Sequence, residues 1–412
     1  MVSDTEYDSF TGLLNGSQVN TLSSSILIEE VQLKTREELK DSRDIYILHD
    51  PCDIRKPSAP KLEGIGKVLS LNKQVVHGYK TFNSVAIDIA KQGVNLLCHE
   101  VYSTTEENYV SQEEVLNIAN CDARIQGLVA NNSYMNGHVL YKKYVKESSD
   151  ILKKDRPEVR ICHVSDREFD NEVFFETIDK QGDNFITRLK LSRLSNETKT
   201  VLTPKGKISK KIAHKKLVDK SFKHEATYKI DCLSIKGKVY KNVDCRLEWE
   251  SLVLNQKTYN VVRITLLREG KSIFEHPMLL LTNKKICNGE DAKAIYKGYI
   301  LRFKIEVVFR FLKQNLGWET FQVRTFQTIK NLLAIAFFLV AYFKELEQEL
   351  KNHPLALFLC QLAKSKGKVT LFFLLEGLTK LVHFQEVQIW KTENNISDED
   401  IKQFMAQFKT QT

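Results

Sequence analysis

In the stretch YILRFKIEVVFRFLKQNLG, residues 299–317, Tyr299, Arg302, Glu306 and Lys313 set a phenol, a carboxylate and two of the four cations at spacings of three, four and seven. A carboxylate can bind a cation or take a proton, and a phenol and cations beside it can hold an anion. Advancing about 100° per residue, as an α-helix does, places Tyr299, Arg302, Glu306 and Lys313 within roughly 60° of one another. The other positions are mostly apolar: Ile300, Leu301, Ile305, Val307, Val308, Phe309, Phe311 and Leu312. This pattern predicts one helix from Tyr299 to Gly317, buried nearly all round, with a single polar stripe. Charges in a core are costly unless paired, hydrogen-bonded or facing a ligand. The stripe is therefore either an ion-pair ladder of Arg302, Glu306 and Arg310 at i, i+4 spacing or a surface that meets a charged ligand.

Tyr, two residues, Arg, three residues, Glu, six residues, Lys is a YREK signature, complete here, and it resembles that of DDE-type bacterial insertion-sequence transposases. The resemblance implies that Glu306 is the third carboxylate of a metal-binding triad. It also implies that Tyr299, Arg302 and Lys313 engage phosphates at the transposon end. Arg310, about 20° from Tyr299 on the helix, is a further candidate contact. Two upstream aspartates should complete the triad.

The elements that would position those acids are legible in order. Ser-rich residues at the start lead into a short amphipathic helix, Ile26 to Leu39. Ile45 to Leu48 is a compact apolar run ending in His49-Asp50-Pro51, which reads as a buried strand stopped by a turn, with Asp50 at its end. Phe82 to Ala90 and Val94 to Ser103 form an expected hairpin through Lys91-Gln92-Gly93. Val139 to Lys153 has helical spacing, and Val159 to Val164 is a second buried strand ending in VSDREFD. Phe169, Val173, Phe174 and Ile178 are spaced for a helix, and Asn184 to Leu189 is again a strand. Strand, hairpin, helix, strand, helix, strand predicts an α/β fold of the RNase H-like kind, with an acid ending the first strand and another ending the fourth. VSDREFD followed by NFITRLK resembles the second catalytic block of the same transposases, which implies a metal-binding role for Asp166. The first block is matched at Asp50. Asp53 is the alternative there, because Cys52 stands where the family has Thr or Ser.

Residues 191–277 read as a β-rich insertion, with strands at Ala226 to Ile235, Val239 to Leu254 and Tyr259 to Leu267. Nine lysines lie between Lys199 and Lys223 against one acid, Asp219. Such a run is either a solvated loop or a footprint for phosphates, the latter through residues such as Lys210, Lys211, Lys215 and Lys216. Met278 opens a strand, Met278 to Thr282, where relatives place a base-stacking Trp. The expected layout is a short segment at 1–44, a core in two pieces at 45–190 and 278–350 around the insertion, and a helical region at 351–412. In that last region Ser397 and Asp400 form a capping box ahead of Ile401, Phe404, Met405 and Phe408.

Lys and Arg number 61 against 52 Asp and Glu, a net charge of +9 that favours an anionic partner. The eight cysteines show neither CxxC nor His/Cys ligand spacing, which argues against a zinc site or a secreted disulfide framework and fits a reducing cytoplasm. No membrane partner is expected. The apolar run Leu332 to Phe343 is well short of the roughly 20 residues of a spanning helix and reads as a core helix. Three acids without imidazole or thiolate suit two Mg²⁺ ions, with Mn²⁺ able to substitute. The resemblance implies cut-and-paste transposition on double-stranded DNA by a homodimer, in the bacterial cytoplasm at the nucleoid. Two rivals stand beside it. One is a nuclease of the same fold. The other is a transposase-derived inhibitor, suggested because relatives commonly carry a DNA-recognition domain before the first Asp and 49 residues precede Asp50 here.

Overall fold

The structure, a computed structural model, describes residues 23–90, 93–202, 208–235, 238–254, 257–349, 353–365 and 369–402. Side chains of 195–202, 208–215, 235, 345–349 and 371 lie outside that description. The chain divides into two compact units, Met1–Phe309 with Trp318–Ile335 and Arg310–Gly317 with Ala336–Thr412.

The first unit is mixed α/β. Its elements in order are α1 (Ser24–Glu38), β1 (Asp44–Arg55), β2 (Gly66–Leu69), β3 (Val75–Asp88), β4 (Val94–Tyr102), α2 (Gln112–Leu116), α3 (Ala123–Ala130) and α4 (Gly137–Lys153). There follow β5 (Arg160–Ser165), α5 (Glu172–Lys180), β6 (Asn184–Arg188), β7 (Leu194–Leu202), β8 (Ile208–Lys216), β9 (His224–Ile235), β10 (Lys238–Leu254) and β11 (Lys257–Arg268). The short β12 (Lys271–Ser272), β13 (Met278–Thr282) and α6 (Gly289–Ile300) lead into α7 (Phe303–Gln314), which belongs to this unit as far as Phe309.

One large sheet runs β2-β3-β1-β5-β6-β13-β11-β10-β9, with β4 on β3 and β12 on β11. β1 is antiparallel to β3 and parallel to β5, and β5 is parallel to β6. The two parallel pairs follow from their connections, since α4 and α5 provide the crossovers that parallel neighbours need. The expected hairpin is the β3–β4 pair, Ile87 opposite Val94; its Lys91 and Gln92 lie outside the described residues. The strands expected between 226 and 267 are present as β9 to β11. They join the same sheet, because β11 pairs with β13 and β13 with β6. β7 and β8 form a separate two-stranded ribbon.

β1 is longer than its sequence suggests. Pro51 does not stop it: the strand continues to Arg55 and stays paired with β3 throughout. The pairing with β5 ends at Leu48 opposite Val164, so beyond that point one edge of β1 has no ladder to break, and Pro is tolerated on such an edge.

α4 starts at Asn136, whose side chain accepts from the backbone N–H groups of His138 and Val139. It buries Leu140, Tyr141, Tyr144, Val145, Ser148, Ser149 and Leu152, one face at i, i+4 spacing. These pack with Ile45, Ile47, Phe82, Phe169, Phe174, Phe175 and Phe185 in the main core. Each such apolar side chain contributes about 1.5–3 kcal/mol on burial. On the other face α6 comes close to the sheet at Gly298, where a Cβ would lie 2.8 Å from the Tyr46 ring and 2.9 Å from Ile186.

The second unit contains two packed helices, α9 (Pro354–Leu362) and α10 (Leu371–Glu393), around Ala356, Leu359, Cys360 and Leu374. The capping box is present, with Asp400 N–H donating to Ser397 Oγ and Ser397 N–H to the Asp400 carboxylate. Phe404, Met405 and Phe408 lie outside the described residues. The preceding helix α8 (Phe326–Glu349) exceeds the apolar run read from sequence. Its segment Phe326–Lys344 is long and apolar enough to cross a membrane by length and composition, and half of that window is buried inside the protein.

Candidate active site

Asp50 and Asp166 are brought level by register. Leu48 and Val164 are partners on neighbouring parallel strands, and each Asp lies two residues beyond its partner, so the two side chains leave the sheet at matching places. Asp166 follows the last residue of β5, as expected, whereas Asp50 sits in mid-strand opposite Asn83 rather than at a strand end. What ends beside Asp50 is the neighbouring strand, and the Arg302 guanidinium lies against its carboxylate.

The expected single helix is two helices. α6 closes at Ile300, a turn spans Leu301 and Arg302, and α7 begins at Phe303. Tyr299 and Glu306 therefore lie on different helices. The pair is not buried all round either: Phe303 is 43% and Val307 58% exposed, while Ile305 and Val308 face the core. The break turns Arg302 inward, to 6% exposure. Its Nη1 lies 3.2 Å from Asp50 Oδ1 and its Nη2 donates to Glu306 Oε1 at 2.6 Å, so one guanidinium joins both acids. Its Nε–H is buried with no acceptor among the described residues. Tyr299, fully buried, donates its hydroxyl to Asp166 Oδ1 at 3.1 Å. Five residues selected from sequence thus meet: Asp50, Asp166, Tyr299, Arg302 and Glu306.

Charge in the site is unbalanced toward the negative. Burial, reinforced by Asp166, Glu306 and Glu168, outweighs Arg302 and raises Asp50 to about 7. Burial and the Asp166 carboxylate push the Tyr299 phenol up to about 12, so it stays a donor. For Arg302, burial works against the charge, but Asp50, Tyr299, Asp166 and Glu306 overcome it and hold the guanidinium ionised. Two residues absent from the sequence expectation belong here. Arg188, at the end of β6, has Nη1 3.8 Å from Asp166 Oδ1. Glu168 is raised by burial and by Asp53 and Asp166, against Lys80. The DRExD spacing and the Arg of NFITRLK were visible in the sequence; which of those side chains reach Asp166 depends on strand register.

Asp53, the alternative first acid, is three residues beyond Asp50 and so projects from the opposite face of β1. There it accepts from the Leu69 N–H at 3.3 Å and lies 3.9 Å from Lys80. Arg310 and Lys313 fall in the second compact unit. Lys216 is exposed, and the side chains of Lys210, Lys211 and Lys215 lie outside the described residues. Of the same run, Lys220 is committed to an ion pair with Glu250.

Residues 146–343 match the family model of the transposase DDE domain. The match spans a little under half the chain and takes in Asp166, Tyr299, Arg302 and Glu306. It supports a DDE transposase, with phosphoryl transfer as its chemistry and DNA as its substrate. A search of curated proteins gives no match. Transposase DDE domains typically use a divalent metal, and the acids gathered here fit that group. They are all carboxylates, and their mutual repulsion, visible in Asp50, is what a divalent cation relieves. Among the described residues no three acids form a finished metal cage, and Arg302 occupies the place between two of them.

Proposed function

We propose that this chain is a cut-and-paste DNA transposase of the YREK subgroup, built on an RNase H-like core. The observation that carries the reading is the placement of Asp50 level with Asp166, with one guanidinium joining Asp50 to Glu306 and the Tyr299 hydroxyl on Asp166. The sheet supports the core: an antiparallel group β4-β3-β1 continues into parallel β5 and β6, with the acids where β5 ends. In the proposed layout the core comprises residues 45–190 and 278–350, and the 191–277 insertion extends its sheet.

Asp50, Asp166 and Glu306 would hold Mg²⁺ or Mn²⁺, which when bound activates a water or a DNA 3′-hydroxyl and stabilises the leaving oxygen. The side chains around it have separate tasks. Arg302 bridges Asp50 and Glu306 and offsets their mutual repulsion, and its buried Nε–H would donate to a phosphate oxygen only if the site opens. Tyr299 holds Asp166 by its hydroxyl. Arg310 and Lys313, on the last turns of α7, are proposed backbone contacts that position DNA without reading its sequence. The proposed working form is a homodimer on paired ends, in the cytoplasm.

The test is a pre-nicked end duplex supplied with Mg²⁺ or Mn²⁺ and a target plasmid. Joined product is expected from the wild type. Glu306→Gln should bind the duplex within a few-fold of wild type and neither nick nor join it. Cleavage without joining would point to a nuclease, and normal nicking by Glu306→Gln would remove Glu306 from the triad.

The Lys-rich run has its own test. If its lysines contact phosphates, changing Lys210, Lys211, Lys215 and Lys216 to Gln should flatten the slope of log affinity against log salt by about 3 to 4, near 0.9 per lost contact. An unchanged slope assigns the run to solvent.

A further inference from the structure

Beneath the acids, on the opposite face of the sheet, lies a polar chain that the chemistry above does not use. His49, the residue before Asp50, approaches Ser84 Oγ at 2.7 Å through Nδ1 and His163 Nδ1 at 2.8 Å through Nε2. His163 Nε2 lies 3.2 Å from Asp183 Oδ2 and 3.1 Å from Ser149 Oγ, and Ser149 donates to the same Asp183 oxygen at 2.6 Å. Lys153 closes the chain on Asp183 Oδ1 at 2.5 Å. The two imidazoles lie edge to edge and nearly coplanar, with centroids 5.2 Å apart and planes 12° from parallel. His49, Ser84, Ser149 and His163 are at most 1% exposed.

With both rings neutral, the direction of this chain is set: an ionised carboxylate only accepts, so His163 donates its Nε2–H to Asp183. Its Nδ1 is then an acceptor, which requires His49 to donate from Nε2 and to accept at Nδ1 from the Ser84 hydroxyl. Both rings are satisfied while neutral, and every link depends on the next. A buried polar row among Ile47, Phe82, Tyr141 and Val145 is costly if any link fails, which makes its geometry stiff. The row crosses β3, β1 and β5 and is anchored by α4 and by Asp183, just before β6. It therefore ties together the two strands whose register sets Asp50 against Asp166.

We infer that the Ser84–His49–His163–Asp183 chain is a positioning device for the metal-binding acids, with His163 as its central residue. The inference rests on the proposed role of Asp50 and Asp166 as metal ligands. It assigns His163 no contact with substrate or metal; it acts by holding β1 against β5 directly beneath Asp50.

The test measures Mn²⁺ binding by calorimetry on the full chain without DNA, in parallel with kcat and KM for nicking. His163→Phe keeps a flat ring of similar size and removes both hydrogen bonds, whereas His163→Gln can still accept from His49 and donate to Asp183. In folded protein, His163→Phe should weaken Mn²⁺ binding by roughly tenfold or more, as loss of a partner behind metal ligands does. It should also lower kcat with KM for DNA unchanged, and His163→Gln should restore most of both. Ser84→Ala, at the far end of the chain, should weaken Mn²⁺ binding several-fold and serves where His163→Phe does not fold. Wild-type Mn²⁺ affinity in folded His163→Phe, or in Ser84→Ala when the Phe variant does not fold, overturns the inference and leaves the proposed function standing. A wild type whose Mn²⁺ binding is absent, or is unaffected by Asp50→Asn, overturns the metal reading and this inference with it.

Discussion

Replacing Asp50 by Asn is expected to abolish metal-dependent nicking and, in the metal-free protein above neutral pH, to raise the melting temperature. The two effects have one cause. Asp50 is largely buried, with 16% of its side chain exposed, and it is raised from 3.8 to about 7 by burial and by Asp166, Glu306 and Glu168, against Arg302. Between those two values the native state keeps a proton that the unfolded chain has already released. Stability therefore falls as pH rises from about 4 to about 7, and the loss is complete above the folded value. Asn carries no charge to desolvate, so this part of the pH dependence should vanish, a difference on the order of a few kcal/mol above neutral pH. Denaturant titrations across that range measure it. Asp53→Asn is the control: on the opposite face of β1 beside Lys80, it should leave the slope in place and retain activity. If Asp50→Asn nicks normally while Asp53→Asn is dead, the first metal ligand has been misassigned. A variant that is both inert and more stable is the usual sign of a site held in a strained electrostatic state for function.

The acids differ in how far the sequence discloses them, and the reason is physical in each case. Asp166 ends an apolar run and starts a polar one, so its place at the strand end is a local property. Asp50 sits before Pro51, and a proline after a short apolar run reads as a stop; that reading fails because β5 ends beside it, which only the pairing of distant segments decides. Helical periodicity from Tyr299 to Gly317 is real, yet it cannot register the turn at Leu301 and Arg302, which contains neither Gly nor Pro. That turn coincides with a tertiary contact, the buried guanidinium of Arg302 between Asp50 and Glu306. The buried histidines are hidden for a similar reason. His49 and His163 are single polar residues within apolar strands, and nothing in the sequence shows that they face each other. The α/β order and the β-type strands of the insertion were legible because each follows from a local run of apolar residues. Their joining in one sheet through β13 was not.

Replacing Arg302 by Met should have the largest effect on stability of any change in the site. The side chain is 7% exposed and its two terminal nitrogens serve two acids. Removing one member of a buried charged group leaves the others desolvated and unpaired, at a cost of about 3–5 kcal/mol. The loss has a diagnostic pH dependence. Of the charges acting on Asp50, Arg302 is the one that pulls its pKa down, while burial, Asp166, Glu306 and Glu168 push it up. Without the guanidinium Asp50 must titrate above its present value of about 7. The fall in stability with rising pH should then extend further into the alkaline range, and part of the cost should be recovered in acid, where Asp50 is neutral. Arg302→Lys separates charge from shape. A single ammonium restores a nearby positive charge and should return the pH window toward that of wild type, yet it cannot span Asp50 and Glu306 together or supply the Nε–H donor. Nicking should therefore stay low in the Lys variant even where stability is recovered. An Arg302→Met protein with wild-type stability and an unmoved pH window would mean that the charge of the two acids is offset by something other than this guanidinium.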